Sequence, residues 1–394
     1  MNIKVPRVVI AGLSGDSGKT LVAVGLSSVL KNKGLEVFPF KKGPDYIDSS
    51  WLAAASGSIA RNLDTFIMGR ERVLESFLAN THPNGFAIIE GNRGLFDGFD
   101  EQGTHSTAEL AKLLETPVIL VINVAKMTRT AASLVLGAKY LDIGVNLAGV
   151  IINNYSGKRH KEIITKSIED IAGVKVVGAV PRLPDTELFP SRHLGLVTPQ
   201  EYEKTSLAID NARKIVENYV DIAQIIEIGN SANDIFVAKE VRKEVKSKIK
   251  NVKIGYLYDK AFTFYYPENL EALENEGAEL VPISAFDEPS LPDIDGLYIG
   301  GGFPENYAQE LSENKSLVLD LREKASAGFP IFAECGGLIY LAEKVELDKT
   351  YELVGIFPIT ISLSKKPVGH GYFEGTVDSI NPYFEIGTKI RAHE

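Results

Sequence analysis

The stretch Ala11-Gly-Leu-Ser-Gly-Asp-Ser-Gly-Lys-Thr20 decides how the first half of this chain is read. It follows an apolar run, Val8-Val9-Ile10, and opens a helical pattern, Leu21-Val-Ala-Val-Gly-Leu26. Strand, glycine-rich turn and helix are the setting of a phosphate-binding loop. Backbone N–H groups wrap a polyphosphate there, and the helix N-terminus adds partial positive charge. On this reading Gly12, Ser14, Gly15 and Gly18 belong to the loop, Lys19 reaches the β and γ oxygens of ATP, and Thr20 holds Mg2+. The spacing departs from the usual motif, because five residues separate Gly12 from Gly18. The longer loop points to a variant branch of the nucleotide-binding superfamily.

Outward from this loop, apolar strand-like runs alternate with amphipathic helical patterns as far as residue 181. Expected strands are 8–11, 36–40, 86–89, 118–123, 147–153 and 174–180, with helices at 20–33, 71–79, 107–115, 130–141 and 161–171. Nearly uninterrupted β-branched runs between helices predict a parallel sheet covered on both faces, with ligands beyond the C-terminal ends of its strands. Leu188–Leu196 reads as a loop and 198–220 as a helix. The polar run up to Lys250 reads as a solvated linker. A second alternation starts at Val252-Lys-Ile-Gly-Tyr-Leu257 and continues to a strand at 330–333. The expected organisation is therefore two α/β domains, 1–225 and 251–394, joined by a linker at 226–250.

Bulk properties narrow the function. A formal net charge of −10 in 394 residues disfavours nucleic acid as the main partner. No apolar run reaches transmembrane length, and Met1-Asn-Ile-Lys lacks a signal-peptide pattern. The single cysteine, Cys335, rules out an internal disulfide and makes a cytoplasmic setting the default expectation, away from any membrane. The histidines and the one thiol show no zinc-type spacing.

Carboxylates gather in the loops that follow the early strands. Asp45 and Asp48, three apart beside Lys41 and Lys42, face one site if the segment turns helical; the equal alternative is a turn in which Asp48 caps a helix. Glu90 stands just past an apolar strand opposite the phosphate loop, where Mg2+ is usually held by oxygen ligands, and Asp97 is a second acidic candidate. Asn153, at a strand end, is placed to offer an amide to the adenine edge or to satisfy a turn. In the second domain, Pro330-Ile-Phe-Ala-Glu-Cys-Gly-Gly337 reads as a strand, a tight turn and a helix start. Such an elbow exposes a nucleophile, and a nearby helix N-terminus favours thiolate. The glycines of Gly300-Gly-Gly302, with Gly336 after the thiol, are candidates for an oxyanion hole. A base is also required, and His370 and His393 are the downstream candidates.

Taken together, Gly43-Pro-Asp-Tyr-Ile-Asp48, Arg61-Asn-Leu-Asp64, Glu90-Gly91 with Gly94-Leu-Phe-Asp-Gly98, Arg192-His-Leu-Gly-Leu196, Gly300-Gly-Gly-Phe-Pro-Glu305 and Glu334-Cys-Gly-Gly337 resemble the cobyrinate a,c-diamide synthase family. The resemblance implies a dethiobiotin-synthetase-like phosphate-loop domain followed by a class I-like glutamine amidotransferase domain. It implies ATP- and glutamine-dependent amidation of the a and c carboxylates of cobyrinate through an acyl phosphate, in cobalamin biosynthesis. A related branch amidates nickel-sirohydrochlorin on the route to coenzyme F430. From a different class, a partition-type ATPase switch is the alternative, though no extra lysine lies between Gly12 and Gly18.

Position by position, the resemblance makes Cys335 the glutaminase nucleophile and His393 the histidine that raises its nucleophilicity, a Cys–His dyad. It assigns Asp45, Tyr46, Asp48 and Asp97 to the acidic substrate site, and Thr20, Glu90 and Asp48 to the metal. Lys41, Lys42, Arg61, Arg93 and Arg192 are candidates to attract a polyanionic substrate. Family members continue beyond the His-Glu pair, so the amidotransferase domain is expected to be truncated here. A homodimer is a possible assembly.

Overall fold

The computed structural model describes residues 2–183, 189, 191–192, 195–236, 252–364, 369 and 371–394. They gather into two compact units, Met1–Lys243 together with Gly371–Glu394, and Glu244–His370.

The first unit begins with β1 (Asn2–Ile3), β2 (Arg7–Gly12), α1 (Lys19–Asn32), β3 (Val37–Lys42) and α2 (Tyr46–Ser56). It continues through β4 (Arg61–Leu63), α3 (Arg70–Ala79), β5 (Phe86–Glu90), α4 (Thr107–Leu113) and β6 (Val118–Asn123). Next come α5 (Thr130–Leu141), β7 (Leu147–Tyr155), α6 (Lys158–Ala172) and β8 (Val176–Pro181). Two short strands, β9 (Ser191–Arg192) and β10 (Gly195–Leu196), precede α7 (Thr205–Tyr219), α8 (Ile222–Asn230) and β11 (Ile235–Phe236).

Seven of these strands form one sheet in the order β4-β3-β5-β2-β6-β7-β8, every neighbouring pair parallel. Alternation along each strand feeds two separate apolar layers. Val9, Ile89, Leu120 and Ile152 enter one layer, while Val8, Ile88, Ile119 and Ile151 enter the other. A strand apolar at every position is therefore buried on both sides, as its sequence predicts. Helix α1 crosses α7 so closely that a Cβ added at Gly25 would lie 2.6 Å from the Ala212 carbonyl oxygen. Arg7, fully buried, binds separate segments of the first unit: Nε donates to the Leu114 carbonyl (2.8 Å), Nη1 to the Val5 carbonyl (2.7 Å) and Nη2 to the Asn233 carbonyl (2.5 Å).

Several boundaries differ from expectation. Asp45, not Asp48, caps α2, accepting from the backbone N–H groups of Ile47 (2.9 Å) and Asp48 (3.0 Å). Helix α7 starts at Thr205, after a turn in which the Thr198 hydroxyl donates to Glu201 (2.8 Å). Where a linker was expected from residue 226, α8 and β11 occupy 222–236; Ile225 is fully buried and β11 pairs with β1. Residues 237–250 of that stretch lie outside the described residues, as do His193 and Leu194 of the 188–196 loop.

The second unit contains β12 (Val252–Leu257), α9 (Pro267–Asn275), β13 (Ala278–Ile283), β14 (Gly296–Ile299) and a 3-10 turn, Pro304–Tyr307. It then runs through α10 (Ala308–Glu313), α11 (Lys315–Ser326), β15 (Ile331–Ala333), α12 (Gly336–Leu341), β16 (Ala342–Glu346), β17 (Thr350–Glu352) and β18 (Phe357–Ser362). Its main sheet, β13-β12-β14-β15, is parallel, and a smaller sheet is ordered β17-β16-β18. Leu257, Phe262, Ile299, Leu317, Leu321 and Tyr340 form its core. Beyond this unit, β19 (Tyr372–Thr376) and β20 (Lys389–His393) pair as an antiparallel hairpin that belongs to the first unit. Among the described residues no helix is long and apolar enough to cross a membrane.

Candidate functional site

The phosphate loop leaves the C-terminal end of β2 at the middle of the sheet. Gly18 stands before α1 at φ 98°, a conformation that costs a side-chain-bearing residue dearly. Lys19 is buried and its Nζ donates to the Ser14 carbonyl (3.1 Å), folding the side chain back over the loop. Burial, and then the neighbouring Lys41 ammonium, lower its pKa. Asn153 donates from Nδ2 to the Ser17 carbonyl (3.0 Å), so its amide braces the loop from the end of β7. The Thr20 hydroxyl donates to Glu90 Oε1 (2.7 Å).

Register explains the charge cluster beside this loop. In the parallel pair β3–β5, Lys41 stands opposite Glu90, and in β3–β4 it stands opposite Asn62. Lys41 Nζ lies 2.6 Å from Asp48 Oδ2, 3.2 Å from Glu90 Oε1 and 3.9 Å from Asp45 Oδ2, and it donates to the Gly91 carbonyl (3.2 Å). With 1% exposure Lys41 is an internal counter-ion, not the surface attractant for an anionic substrate that its sequence neighbours suggested. Burial alone would lower its pKa, but Asp48, Glu90 and Asp45 hold the ammonium charged. Burial pushes the carboxyl pKa of Glu90 up to about 7, against the pull of Lys41. It likewise raises Asp45 to about 6, with the nearby Asp48 charge adding to the effect.

Glu90 Oε2 is buried without a hydrogen-bond partner, beside the Thr20 hydroxyl. Hydroxyl and carboxylate oxygens suit Mg2+, which binds through one or two carboxylates plus substrate phosphates. Among the described residues, no group of three or more His, Cys, Asp and Glu side chains is arranged to hold a metal ion. Asp48, one of the expected metal ligands, is committed to Lys41. Asp97 Oδ2 accepts from the Gly94 N–H (2.9 Å) and closes the 94–97 turn.

In the second unit Cys335 turns the chain between β15 and α12 at φ 53°, a conformation rare for a side-chain-bearing residue. Glycine-rich chain presses against it. A Cβ on Gly301 would lie 3.3 Å from Cys335 Sγ, and one on Gly336 would lie 3.1 Å from the Gly302 nitrogen. The N–H groups of Gly336 and Gly302 point at the sulfur. Gly301 does not add a third donor, because its N–H is turned to the Phe264 carbonyl (3.3 Å). The thiol is exposed at its surface, yet protein packed around the sulfur removes enough hydration to raise its pKa, and Glu305 and Glu334 add to that. The two N–H donors oppose the rise without cancelling it, so the helix start does not by itself make a thiolate. Tyr265 buttresses the glycines: its hydroxyl donates to the Leu257 carbonyl (2.5 Å) and accepts from the Gly300 N–H (2.8 Å). Tyr298 donates to Glu334.

His393 lies in β20, in the first unit, while Cys335 belongs to the second. Its ring centroid is 6.4 Å from that of Tyr46, and burial lowers its pKa against the opposing pull of Asp64. His370 lies outside the described residues, and the side chain of Arg192 is likewise not described. Sequence reasoning missed Lys41 as a counter-ion and the Tyr265 and Tyr298 supports. Lys41 depends on strand register and Tyr265 on a loop folding back over β12 and the Gly300 turn, and no short motif encodes either.

A phosphate loop with an acidic wall in one unit, and a cysteine elbow backed by two N–H donors in the other, define a nucleotide-binding protein joined to a glutamine amidotransferase. The CobQ/CobB/MinD/ParA nucleotide binding domain model matches residues 8–197, and the CobB/CobQ-like glutamine amidotransferase domain model matches residues 253–394. The chain is 40% identical over 400 residues to the cobyrinate a,c-diamide synthase of Magnetococcus marinus, covering 100% of this chain and 85% of that one. To the Archaeoglobus fulgidus protein of the same name it is 43% identical over 372 residues, covering 93% and 80%. The Dehalococcoides mccartyi protein of that name is 40% identical over 398 residues, covering 98% and 85%. This chain belongs to the cobyrinate a,c-diamide synthase family.

Proposed function

We propose that this protein amidates the a and c carboxylates of cobyrinate, using ATP and glutamine, in cobalamin biosynthesis. The observation that carries the reading is the presence, in one chain of this family, of the Thr20–Glu90–Lys41 cluster at a phosphate loop and of Cys335 at a strained elbow. A carboxylate resists attack by ammonia because its oxygen is a poor leaving group. Transfer of the γ-phosphoryl group to it creates an acyl phosphate. Lys19 stabilises charge during the transfer. Mg2+, when bound by Thr20 and Glu90, neutralises phosphate charge. Asp45, Tyr46, Asp48 and Asp97 form the acidic substrate site.

Cys335 attacks the glutamine amide. Its proton passes to His393 and on to the departing ammonia, and water releases glutamate from the thioester. Gly302 and Gly336 stabilise the oxyanion. A chain carrying one cysteine and using ATP fits a cytoplasmic setting, and a homodimer is the proposed assembly.

The reading is tested by incubating the protein with cobyrinate or nickel-sirohydrochlorin, ATP, and either glutamine or ammonia, followed by mass spectrometry of the tetrapyrrole. Two successive gains of an amide on cobyrinate are expected. Amidation of nickel-sirohydrochlorin alone would move the substrate to the related branch. ATP turnover stimulated only by another protein would replace the synthetase with an ATPase switch.

A further inference from the structure

The hairpin that carries His393 is fastened to the first unit around Asp64 and Phe66. Tyr372 and His393 are directly opposite partners in β19–β20. Opposite residues of an antiparallel pair project on the same face, with Cβ atoms close together. On that face the Tyr372 hydroxyl donates to Asp64 Oδ2 (2.5 Å), and its ring stacks on Phe66 with centroids 4.6 Å apart. Arg391, two residues before His393 and so on the same face, brings its guanidinium 5.5 Å from the Phe66 ring and donates to the Phe66 carbonyl (3.4 Å). Asp64 is itself immobilised. It is 3% exposed, and its Oδ1 accepts from the N–H groups of Phe66 and Ile67, both at 2.9 Å.

The rest of the hairpin makes little use of the protein beneath it: Ile380 is 92% exposed and Ile386 61%. A two-stranded hairpin is marginal on its own in water, so its placement depends on its tethers. The strongest of them is a charge-assisted bond to a buried carboxylate, set directly across from His393.

We infer that Tyr372, acting through Asp64, is a positioning residue that holds His393 in place for glutamine hydrolysis. The inference rests on the proposed role of His393. A second chain of contacts leads from the same place to the acidic cluster. Asn62, two residues before Asp64, donates from Nδ2 to the carbonyls of Gly43 (2.7 Å) and Asp45 (2.9 Å). The loop that orients Asp64 is therefore continuous with the loop that caps α2.

Tyr372→Phe keeps the ring on Phe66 and removes only the hydroxyl. The full-length variant should lose glutaminase kcat by about tenfold or more, since small displacements of a catalytic group carry penalties of that order. Its KM for glutamine, and its amidation rate with added ammonia, should stay close to wild type. Asp64→Asn should give the same pattern, and the double variant should be no worse than either single one, because both remove one bond. Wild-type glutaminase kcat in Tyr372→Phe, or parallel loss of the ammonia-dependent rate, would overturn the inference. Arg391→Gln, which loosens the same face of the hairpin at Phe66 while leaving the Tyr372 hydroxyl in place, gives a second reading should Tyr372→Phe fold poorly; it too should lower glutaminase kcat selectively, and an unchanged kcat counts against the tether. His393→Asn, assayed alongside, separates the two levels of argument. If it keeps full glutaminase activity, the role proposed for His393 fails. If it is inactive while Tyr372→Phe is normal, only the positioning role fails.

Discussion

At Cys335 the backbone does part of the chemistry's work before any substrate arrives. A φ of 53° aims the thiol out of the β15–α12 turn, and the absent side chains of Gly301 and Gly336 let the opposing chain come within reach of it. Because the surrounding protein raises the thiol pKa, the resting group is a thiol, and deprotonation must be assisted. His393 is suited to assist, since burial lowers its pKa below the ordinary 6.5 and leaves it neutral near pH 7. The sign follows directly: protonation disables the base, so glutaminase kcat/KM should fall on the acid side of a limb lying below 6.5. In His393→Asn that limb should vanish, leaving a weak activity that climbs with pH toward the raised Cys335 pKa. An unshifted acid limb in that variant would exclude His393 as the titrating base. Cys335→Ser should abolish glutamine-dependent amidation and spare amidation with ammonia, read by product mass. Lys19→Ala should stop both, because it acts on the phosphoryl group that both routes need.

Lys41 obeys a different logic, that of a buried ion pair. Removing one member of such a pair strands the other charges, at a cost of about 3–5 kcal/mol. Lys41→Met should lower folding stability by roughly that amount in denaturant melts, and adding Glu90→Gln should restore part of it. A neutral effect of Lys41→Met would show that the carboxylates are satisfied some other way.

Among the elements, the strands of the main sheet were legible in the sequence because burial on both faces writes itself as an unbroken apolar run. The phosphate loop was legible because its turn needs glycine and its chemistry needs lysine and threonine at fixed offsets. Less visible were β4, only three residues long, and α8, whose isoleucines stood at the edge of a charged tract. The Lys41–Glu90 pair was hidden for a stronger reason: it arises from pairing of strands whose residues lie far apart in sequence. Tyr372 and Asp64 were hidden because their contact joins side chains 308 positions apart in sequence. The crossing of α1 over α7 offers a test at this scale. Gly25→Val would force atoms into the Ala212 carbonyl and the Val216 side chain, so a loss of about 1–3 kcal/mol is expected from overpacking. Thermal unfolding should register it, whereas an unchanged melting temperature would mean the two helices can separate freely.

Over the whole molecule, the chain makes its first unit, then its second, and then returns to the first with β19–β20. The amidotransferase family match runs to residue 394, so the segment bearing His393 is assigned to one half by family and to the other by packing. Each unit has its own core, with the first built on two layers around a seven-stranded sheet and the second on Leu257, Ile299 and Leu321. Separate cores predict separate unfolding, so calorimetry should resolve two transitions. Ligand linkage then assigns them. MgATP at a hundred times its dissociation constant adds about 2.7 kcal/mol to whatever binds it. It should raise the transition of the first unit and leave the other in place, and Lys19→Ala should erase that shift. Tyr372→Phe should lower the same ATP-responsive transition, because the hairpin's tether lies in the first unit. A single transition that moves as one with MgATP would show that the two cores melt as a cooperative body, and that assigning the hairpin to one of them has no thermodynamic meaning.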